Sequence, residues 1–166
     1  VSIYCYLMGQ IILTTQINNS LQVCFDLSTS IDLHKLSTQH TQEEAVDGIR
    51  TGLIKLNEHV TWRAKHFGFW FRLTTRITEF NPPNFFVDEM TSGPFKSMRH
   101  EHIFESVDGL TLMTDKFEFK SPLGILGKLV DKLVIDRYLR ELLIKRNELI
   151  KEFAESDKWK KVLKKR

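Results

Sequence analysis

The C-terminal third of the chain contains a stretch that needs a large partner surface. Residues 122–153 follow helical spacing, and one face of the predicted helix collects six side chains: Ile135, Leu139, Leu142, Arg146, Leu149 and Phe153. An earlier apolar stripe, Leu126, Leu129, Val130 and Leu133, does not continue smoothly into this face. This change of helical phase between the two apolar stripes predicts a bend near residues 134–136. A helix of this length cannot bury its own apolar face, so it must lie on a broad apolar surface.

The preceding sequence predicts that surface as a sheet. After a first strand at residues 10–17, two short helices are expected at residues 21–27 and 31–36. Alternating segments then follow, separated by turn residues such as Asn81-Pro82-Pro83-Asn84 and Asp108-Gly109. The predicted strands are 43–47, 58–67, 70–80, 85–90, 97–105 and 110–120. Their hairpin order predicts an α+β fold, in which an antiparallel sheet of about seven strands curves around the C-terminal helix.

The alternating pattern predicts which face of the sheet points inward, and several side chains on that face are polar. His66, His100, His102, Asp115 and, with a more ambiguous phase, Asp88 all fall on this face. A buried charge is costly unless it is paired, so these groups are expected to pair with one another or to border a wet cavity. Carboxylate neighbours are expected to raise the histidine pKa values.

Three interpretations of these residues stay open. They form a satisfied structural network, they orient the polar end of a ligand, or they make a metal or acid–base site. His100 and His102 could bind zinc from one strand face, but two histidines without a fixed third ligand are a weak signal. We therefore predict no metal and no cofactor, and no confident catalytic residue; His100, His102 and Asp115 are the candidates for catalysis.

Length and charge place the chain among ordinary globular proteins. Its 166 residues predict a single domain with a core at about residues 10–155, and Cys5 and Cys24 indicate no disulfide framework or metal motif. Residues 123–166 hold 13 basic and 7 acidic side chains, a net charge of +6, whereas the rest carries −3. The basic tail, residues 156–166, is expected to be a solvated helix end, with lipid binding as the alternative. Residues 1–7 are expected to be an extension or tag remnant.

Three sets of residues together resemble a known superfamily. They are Phe25-Asp26-Leu27 with Ile31-Asp32-Leu33-His34; Thr61-Trp62 with Ala64 and His66-Phe67-Gly68; and Phe86, Asp88, Met90 and Gly93-Pro94-Phe95, followed by His100, His102, Phe104, Thr111, Met113, Asp115, Pro122-Leu123-Gly124 and Gly127. In this order they resemble the START-like helix-grip superfamily, and within it a bacterial, polyketide cyclase-like branch of stand-alone ligand-binding proteins. The resemblance covers about residues 10–155 and implies a curved sheet gripping the terminal helix around a cavity.

The resemblance implies that the protein binds a small hydrophobic or aromatic molecule in that cavity. A cytoplasmic location is expected from the two cysteines, which suggest no disulfide framework, and from the lack of a secretory signal pattern. The expected lining residues are Trp62, His66, Phe71, Leu73, Met98, His100, His102, Phe104, Met113, Asp115, Phe117, Leu126, Val130 and Leu133. The alternative is a cyclase- or aromatase-like enzyme that uses the pocket histidines and aspartate. No nucleic acid and no stable membrane insertion are expected, and the oligomeric state is left open.

Overall fold

A computed structural model describes residues 9–121 and 134–164. Several predictions fall outside these residues: the extension at residues 1–7, the glycine pair Gly124 and Gly127, and the end of the basic tail. Three expected lining residues, Leu126, Val130 and Leu133, also lie outside the described residues.

The strands form one curved antiparallel sheet of seven, in the order β1-β7-β6-β5-β4-β3-β2. Their bounds are β1 Gly9–Ile17, β2 Glu44–Gly48, β3 His59–His66, β4 Phe69–Asn81, β5 Phe85–Ser92, β6 Ser97–Val107 and β7 Leu110–Lys120. Every predicted strand is present within two residues at each end, because turn residues separate clear alternating runs. The first strand pairs with the last, from Gly9 opposite Phe119 to Ile17 opposite Thr111.

Two short helices follow β1, as the sequence predicts. α1 covers Leu21–Ser28 and α2 covers Ile31–Ser37. Each begins after a serine whose side chain accepts a hydrogen bond from a backbone N–H of the first turn: Ser20 from Val23 and Ser30 from Leu33. The C-terminal helices are α3, Asp136–Ala154, and α4, Lys158–Leu163. Among the described residues, no helix is both long and apolar enough to cross a membrane.

The long helix α3 presents a face that differs slightly from the predicted one. Its buried residues are Leu143, Arg146, Asn147, Ile150 and Ala154, while Leu142, Leu149 and Phe153 are more exposed than predicted. The centre of the buried face is therefore about one position further round the helix than predicted, although Ile135, Leu139, Leu149 and Phe153 do pack against the interior. The sequence analysis did not include Asn147, whose buried partner is known only from the fold. Near the predicted bend, residues 134–135 have π-helical winding and the regular α-helix begins at Asp136.

The interior holds two apolar clusters. The first apolar cluster lies under α1, α2 and the C-terminal half of α3, and Phe25 makes edge contacts there with Phe80, Phe86 and Phe104. The second apolar cluster contains Ile11, Met98, Phe117, Phe119 and Leu143, with Leu13, Leu73, Met90, Phe95, Ile135 and Leu139 packed against it. The two clusters are separate, and polar side chains lie between them.

The basic tail does not behave as a solvated helix end. Within α4, Trp159, Val162 and Leu163 pack against the first apolar cluster. Lys158 and Lys160 pair with Glu152 and Asp157 on the exposed side. The expectation for this segment was wrong because Trp159, Val162 and Leu163 follow helical spacing and form an apolar face that the lysines obscure in the sequence.

Removing a buried methyl-rich side chain from α3 should destabilise the protein much more than the same change on its outer face. Ile150 is 2% exposed and Ile144 in the same helix is 38% exposed. We expect Ile150→Ala to lower the free energy of unfolding by about 2–4 kcal/mol, because it loses buried area and leaves a cavity. Ile144→Ala should change it by less than about 0.5 kcal/mol. Urea unfolding of both variants checks this, and equal losses would contradict the assigned helix face.

Candidate functional site

A band of polar side chains crosses the interior between the two apolar clusters. On three neighbouring strands and on α3, the inward residues change from apolar to polar and back to apolar along each element. We call six of these residues the polar cluster: Asp88 on β5, His100 and His102 on β6, Asp115 on β7, and Arg146 and Asn147 on α3. Strand register brings them together, because Asp88 lies opposite His100 and His102 lies opposite Asp115. The alternation that predicted the inward face therefore also places the cluster.

Asp115 lies at the centre of the polar cluster and is fully buried. Its Oδ1 is 2.9 Å from Nε2 of His100, and its Oδ2 accepts a 2.7 Å hydrogen bond from Nδ2 of Asn147. Burial alone would raise the pKa of Asp115, but the hydrogen bond from His100 and the close approach of His102 outweigh it and hold this pKa well below its usual range. Asp115 is thus an ionised carboxylate in the protein interior.

Two residues of α3 bring the helix to this carboxylate. Arg146 lies 3.5 Å from Oδ1 of Asp115, and its other terminal nitrogen donates to the carbonyl of Ser28 at the end of α1. Asn147 adds a longer contact of 3.4 Å to the hydroxyl of Thr15 on β1. The polar cluster therefore ties α3 to α1, β1 and β7 at once. Arg146 was placed on the inner face of the helix from the sequence, but neither residue was predicted to join the site.

His102 lies between two carboxylates. Its Nε2 is 3.0 Å from Oδ2 of Asp88, and its Nδ1 is 2.9 Å from Oδ1 of Asp115. The second contact does not have the geometry of a hydrogen bond, so Nδ1 is a buried ring nitrogen without a hydrogen-bond partner among the residues that the structure describes. The ring stacks on Phe86, with centroids 4.0 Å apart.

The pKa of His100 is shifted in the direction opposite to the one expected. Burial, followed by the neighbouring His102, lowers the pKa of His100 to about 4, although Asp115 and Asp88 act in the opposite direction. The carboxylates act in the predicted direction, but the net shift is downward because the cost of burying a charged imidazole dominates. For Asp88, burial would raise the pKa, but the hydrogen bond with His102 and the charges of the cluster lower it.

His66, predicted to join the other inward histidines, has a different partner. Its Nδ1 lies 2.7 Å from the hydroxyl of Tyr138 near the start of α3. Burial lowers the pKa of His66 and raises the pKa of Tyr138. This contact joins the end of β3 to α3, and the ring of Phe67 also lies 4.7 Å from that of Tyr138. Tyr138 is a further residue that the sequence analysis missed.

The expected lining residues divide among three environments. Trp62, Phe104 and Met113 belong to the first apolar cluster, where Trp62 stacks on His34 at 4.2 Å between centroids. Met98 and Phe117 belong to the second cluster, and Leu73 packs against it. Phe71 is 37% exposed near the β3–β4 turn, beside Phe69 and Trp70, which are more exposed still. Of the expected lining residues that the structure describes, Leu73, Met98 and Phe117 therefore lie on the second-cluster side of the interior, and Trp62, Phe104 and Met113 lie on the first-cluster side.

The interior is packed more tightly on one side of the polar cluster than on the other. The groove where α1, α2 and α3 meet is lined by Leu27, Leu33, Arg146 and Ile150 among others, and has no room for a water molecule. On the other side the Asp88 side chain is 20% exposed, and Leu73 and Met90 are half-buried. Chemically, the arrangement can accept hydrogen bonds, hold a cation or move a proton between imidazole and carboxylate.

Comparisons with known proteins identify the fold. No family model matches the chain, and no curated protein matches it. Among solved structures, TTHA0849 from Thermus thermophilus matches 86% of this chain and 97% of its own length, with a TM-score of 0.67 at 16% identity. The major latex-like protein 151 from Panax ginseng matches 90% and 99%, with a TM-score of 0.66 at 17% identity.

A third structure belongs to a biosynthetic pathway. StfQ, a di-domain ARO/CYC from the steffimycin biosynthetic pathway, has a TM-score of 0.68 at 12% identity; 90% of this chain aligns with 51% of StfQ. The chain therefore has the same helix-grip fold as these structures, which is the fold that the resemblance implied. At such low identities the likeness concerns the fold, and the site must be argued from its own residues.

Replacing the central carboxylate by its neutral isostere should destabilise the protein strongly. Asp115→Asn keeps the shape but removes the negative charge that His100, His102 and Arg146 surround. We expect a loss of about 3–5 kcal/mol in the free energy of unfolding, because Arg146 is left as an uncompensated buried charge. Asp47→Asn, whose side chain is exposed on β2, should cost less than about 0.5 kcal/mol. Chemical unfolding measures both, and a small effect at Asp115 would contradict the central role of its charge.

Proposed function

We propose that the protein binds a small hydrophobic or aromatic molecule between the concave face of the sheet and the C-terminal part of the chain. One observation carries the proposal: the exposed edge of the polar cluster, at Asp88, adjoins half-buried apolar side chains of the second cluster. Ligand sites in proteins combine mostly apolar walls with a few fixed polar groups, and this side of the interior offers both.

The apolar part of the proposed site consists of Leu73, Met90, Met98 and Phe117. Leu73 and Met90 lie on neighbouring strands, and both side chains pack closely over Gly93, where an added Cβ would lie under 3 Å from each. A guest that covers these half-buried side chains gains about 25 cal/mol for each Å² of apolar surface removed from water. The first apolar cluster is already close-packed, so it offers a guest no comparable gain.

The polar part favours a guest that carries a hydrogen-bond donor. Asp88 is an acceptor when ionised, and its lowered pKa keeps it ionised at neutral pH. His100 uses Nε2 toward Asp115, which leaves Nδ1 on the Asp88 side, 3.8 Å from Oδ2 of that residue. A phenol, an enol or an amine N–H directed at these acceptors would be oriented by them.

A tryptophan placed in the proposed site should block a guest. We expect Leu73→Trp to raise the apparent Kd for phenylnaphthylamine, a neutral aromatic amine with one N–H donor, at least tenfold, because the indole occupies the space beside Met90. Leu56→Trp, at a position 46% exposed in the β2–β3 connection, is the matched control and should change the Kd less than twofold. Fluorescence titration of the probe measures both.

Two results would reject the binding proposal. One is that the wild-type protein does not bind the probe in a saturable manner and also carries no small molecule by native mass spectrometry after purification from its host. The other is that Leu73→Trp binds the probe as well as Leu56→Trp does. Circular dichroism melting of both variants separates blocking of the site from loss of the fold.

A second candidate function is catalysis of the cyclase or aromatase kind. The specific observation in its favour is the 2.9 Å contact between Asp115 and Nε2 of His100, which fixes the orientation and tautomer of an imidazole whose second nitrogen is the free proton acceptor. His100 is the proposed general base, and Asp115 positions it; His102 is the neighbouring alternative.

The catalytic candidate predicts that His100→Gln abolishes turnover of a linear aromatic polyketide substrate, by at least a hundredfold in kcat, while probe binding falls less than threefold. Glutamine keeps a hydrogen bond to Asp115 but cannot act as a base. Turnover assayed by product chromatography tests this. If turnover survives, or if turnover, binding and melting temperature fall together, His100 is a structural residue and not a base.

A further inference from the structure

Three potential metal-ligating atoms lie close together at the edge of the polar cluster. Nε2 of His100 lies 2.9 Å from Oδ1 of Asp115, so its other ring nitrogen, Nδ1, is on the Asp88 side. That nitrogen is 3.8 Å from Oδ2 of Asp88, beyond hydrogen-bond distance. Nε2 of His102 is 3.0 Å from the same oxygen. Two imidazole nitrogens and one carboxylate oxygen therefore face a common point.

The hydrogen bonds within the protein do not satisfy His102. A neutral imidazole has one N–H, but both ring nitrogens of His102 lie within 3.0 Å of a carboxylate oxygen. Whichever nitrogen carries the proton, the other directs a lone pair at a negative oxygen. A metal ion bound at Nε2, beside Asp88, would leave the ring proton on Nδ1, which faces Oδ1 of Asp115.

We propose that Asp88, His100 and His102 bind a divalent transition-metal ion of the zinc class, through Oδ2, Nδ1 and Nε2 respectively. These three residues offer ligand atoms that lie within 4.8 Å of one another. In sites with metal–ligand bonds of about 2.0–2.1 Å the donor atoms are about 3.0–3.4 Å apart, so the side chains need only a small inward movement. Imidazole and carboxylate ligands suit Zn²⁺ and Co²⁺.

The surroundings supply the support that metal sites need. Asp115 lies against the second ring nitrogen of both histidines, and in metal sites such outer carboxylates fix the tautomer and orient the ligand. Phe86 stacks on His102, and Phe117 makes an edge contact with His100 at 5.1 Å between centroids. All three ligands are on adjacent β-strands, which hold geometry better than loops. The sequence shows the His-x-His pair but not Asp88 as its third member.

The open side of this site faces the proposed ligand-binding surface. Three protein ligands leave a coordination position free for water or for an oxygen or nitrogen of a bound molecule. That position lies toward Asp88, the least buried of the three ligands. The metal site does not depend on the proposed function, because it rests on the cluster itself and is tested without an organic guest.

The test uses the full chain, stripped with EDTA and titrated with CoCl₂ and ZnCl₂. We expect one equivalent to bind, with a visible Co²⁺ spectrum of nitrogen and oxygen ligands that lacks the thiolate charge-transfer band. Asp88→Asn and His102→Gln should each weaken Zn²⁺ binding in calorimetry at least tenfold. His59→Gln, at a side chain that is 41% exposed at the start of β3, is the matched control for adventitious histidine binding and should stay within twofold of the wild type. Loss of saturable binding in the wild type, or equal binding by Asp88→Asn, overturns the site.

A second measurement keeps the proposal falsifiable if a variant does not fold. In ¹⁵N-histidine NMR of the stripped wild-type protein, Zn²⁺ should shift Nδ1 of His100 and Nε2 of His102 and leave His34, His40 and His59 unchanged. Shifts confined to those three histidines overturn it. A signal of His102 with protons on both nitrogens, unchanged by Zn²⁺, also overturns it, because Nε2 then carries a proton where the metal would bind.

Discussion

The ionised carboxylate of Asp115 is the group on which the interior of this protein depends. It is fully buried, so its desolvation must be offset by donors, and these come from β6 and from α3. A buried ion network is weak evidence for stability, since a well-packed apolar replacement is often as stable. It is stronger evidence that the network selects one arrangement of the helix on the sheet. Only one position of α3 over the sheet brings both Arg146 and Asn147 to Asp115, so the network fixes how the helix docks.

The position of this network also explains why the two halves of the interior differ. On one side, α1, α2 and the C-terminal half of α3 close over aromatic rings in edge contact, and the groove between them admits no water. On the other side, the start of α3 reaches the sheet through the hydrogen bond between Tyr138 and His66, and several apolar side chains stay half-buried. Close packing and an accessible surface are therefore separated by a polar layer, and each can change with little effect on the other.

Much of this could be predicted from the sequence, and the failures have a common cause. Alternation and turn residues locate all seven strands and direct His100, His102 and Asp115 inward, because strand faces are set by local spacing. The centre of the buried face of α3 lies about one position from its predicted place, because the burial of Asn147 depends on Asp115, which lies beside it only in the fold. The lowered pKa of His100 and the pairing of His66 with Tyr138 likewise depend on contacts between distant residues. The spacing of residues along the chain predicts which way a side chain points. The partner that it meets across the interior becomes known only from the fold.

The position of the candidate site on strands has a consequence for what can vary within this fold. Asp88, His100, His102 and Asp115 are held by the continuous pairing of β5, β6 and β7, so their mutual distances are insensitive to the loops. The apolar residues beside them extend instead onto β4 and toward the exposed aromatic residues of the β3–β4 turn, Phe67 to Phe71. Changes in that turn can alter the shape offered to a guest while the polar cluster stays fixed. A scaffold with a rigid polar centre and a variable apolar rim would suit different guests that share one polar group, which is the division of roles that the proposed binding function requires.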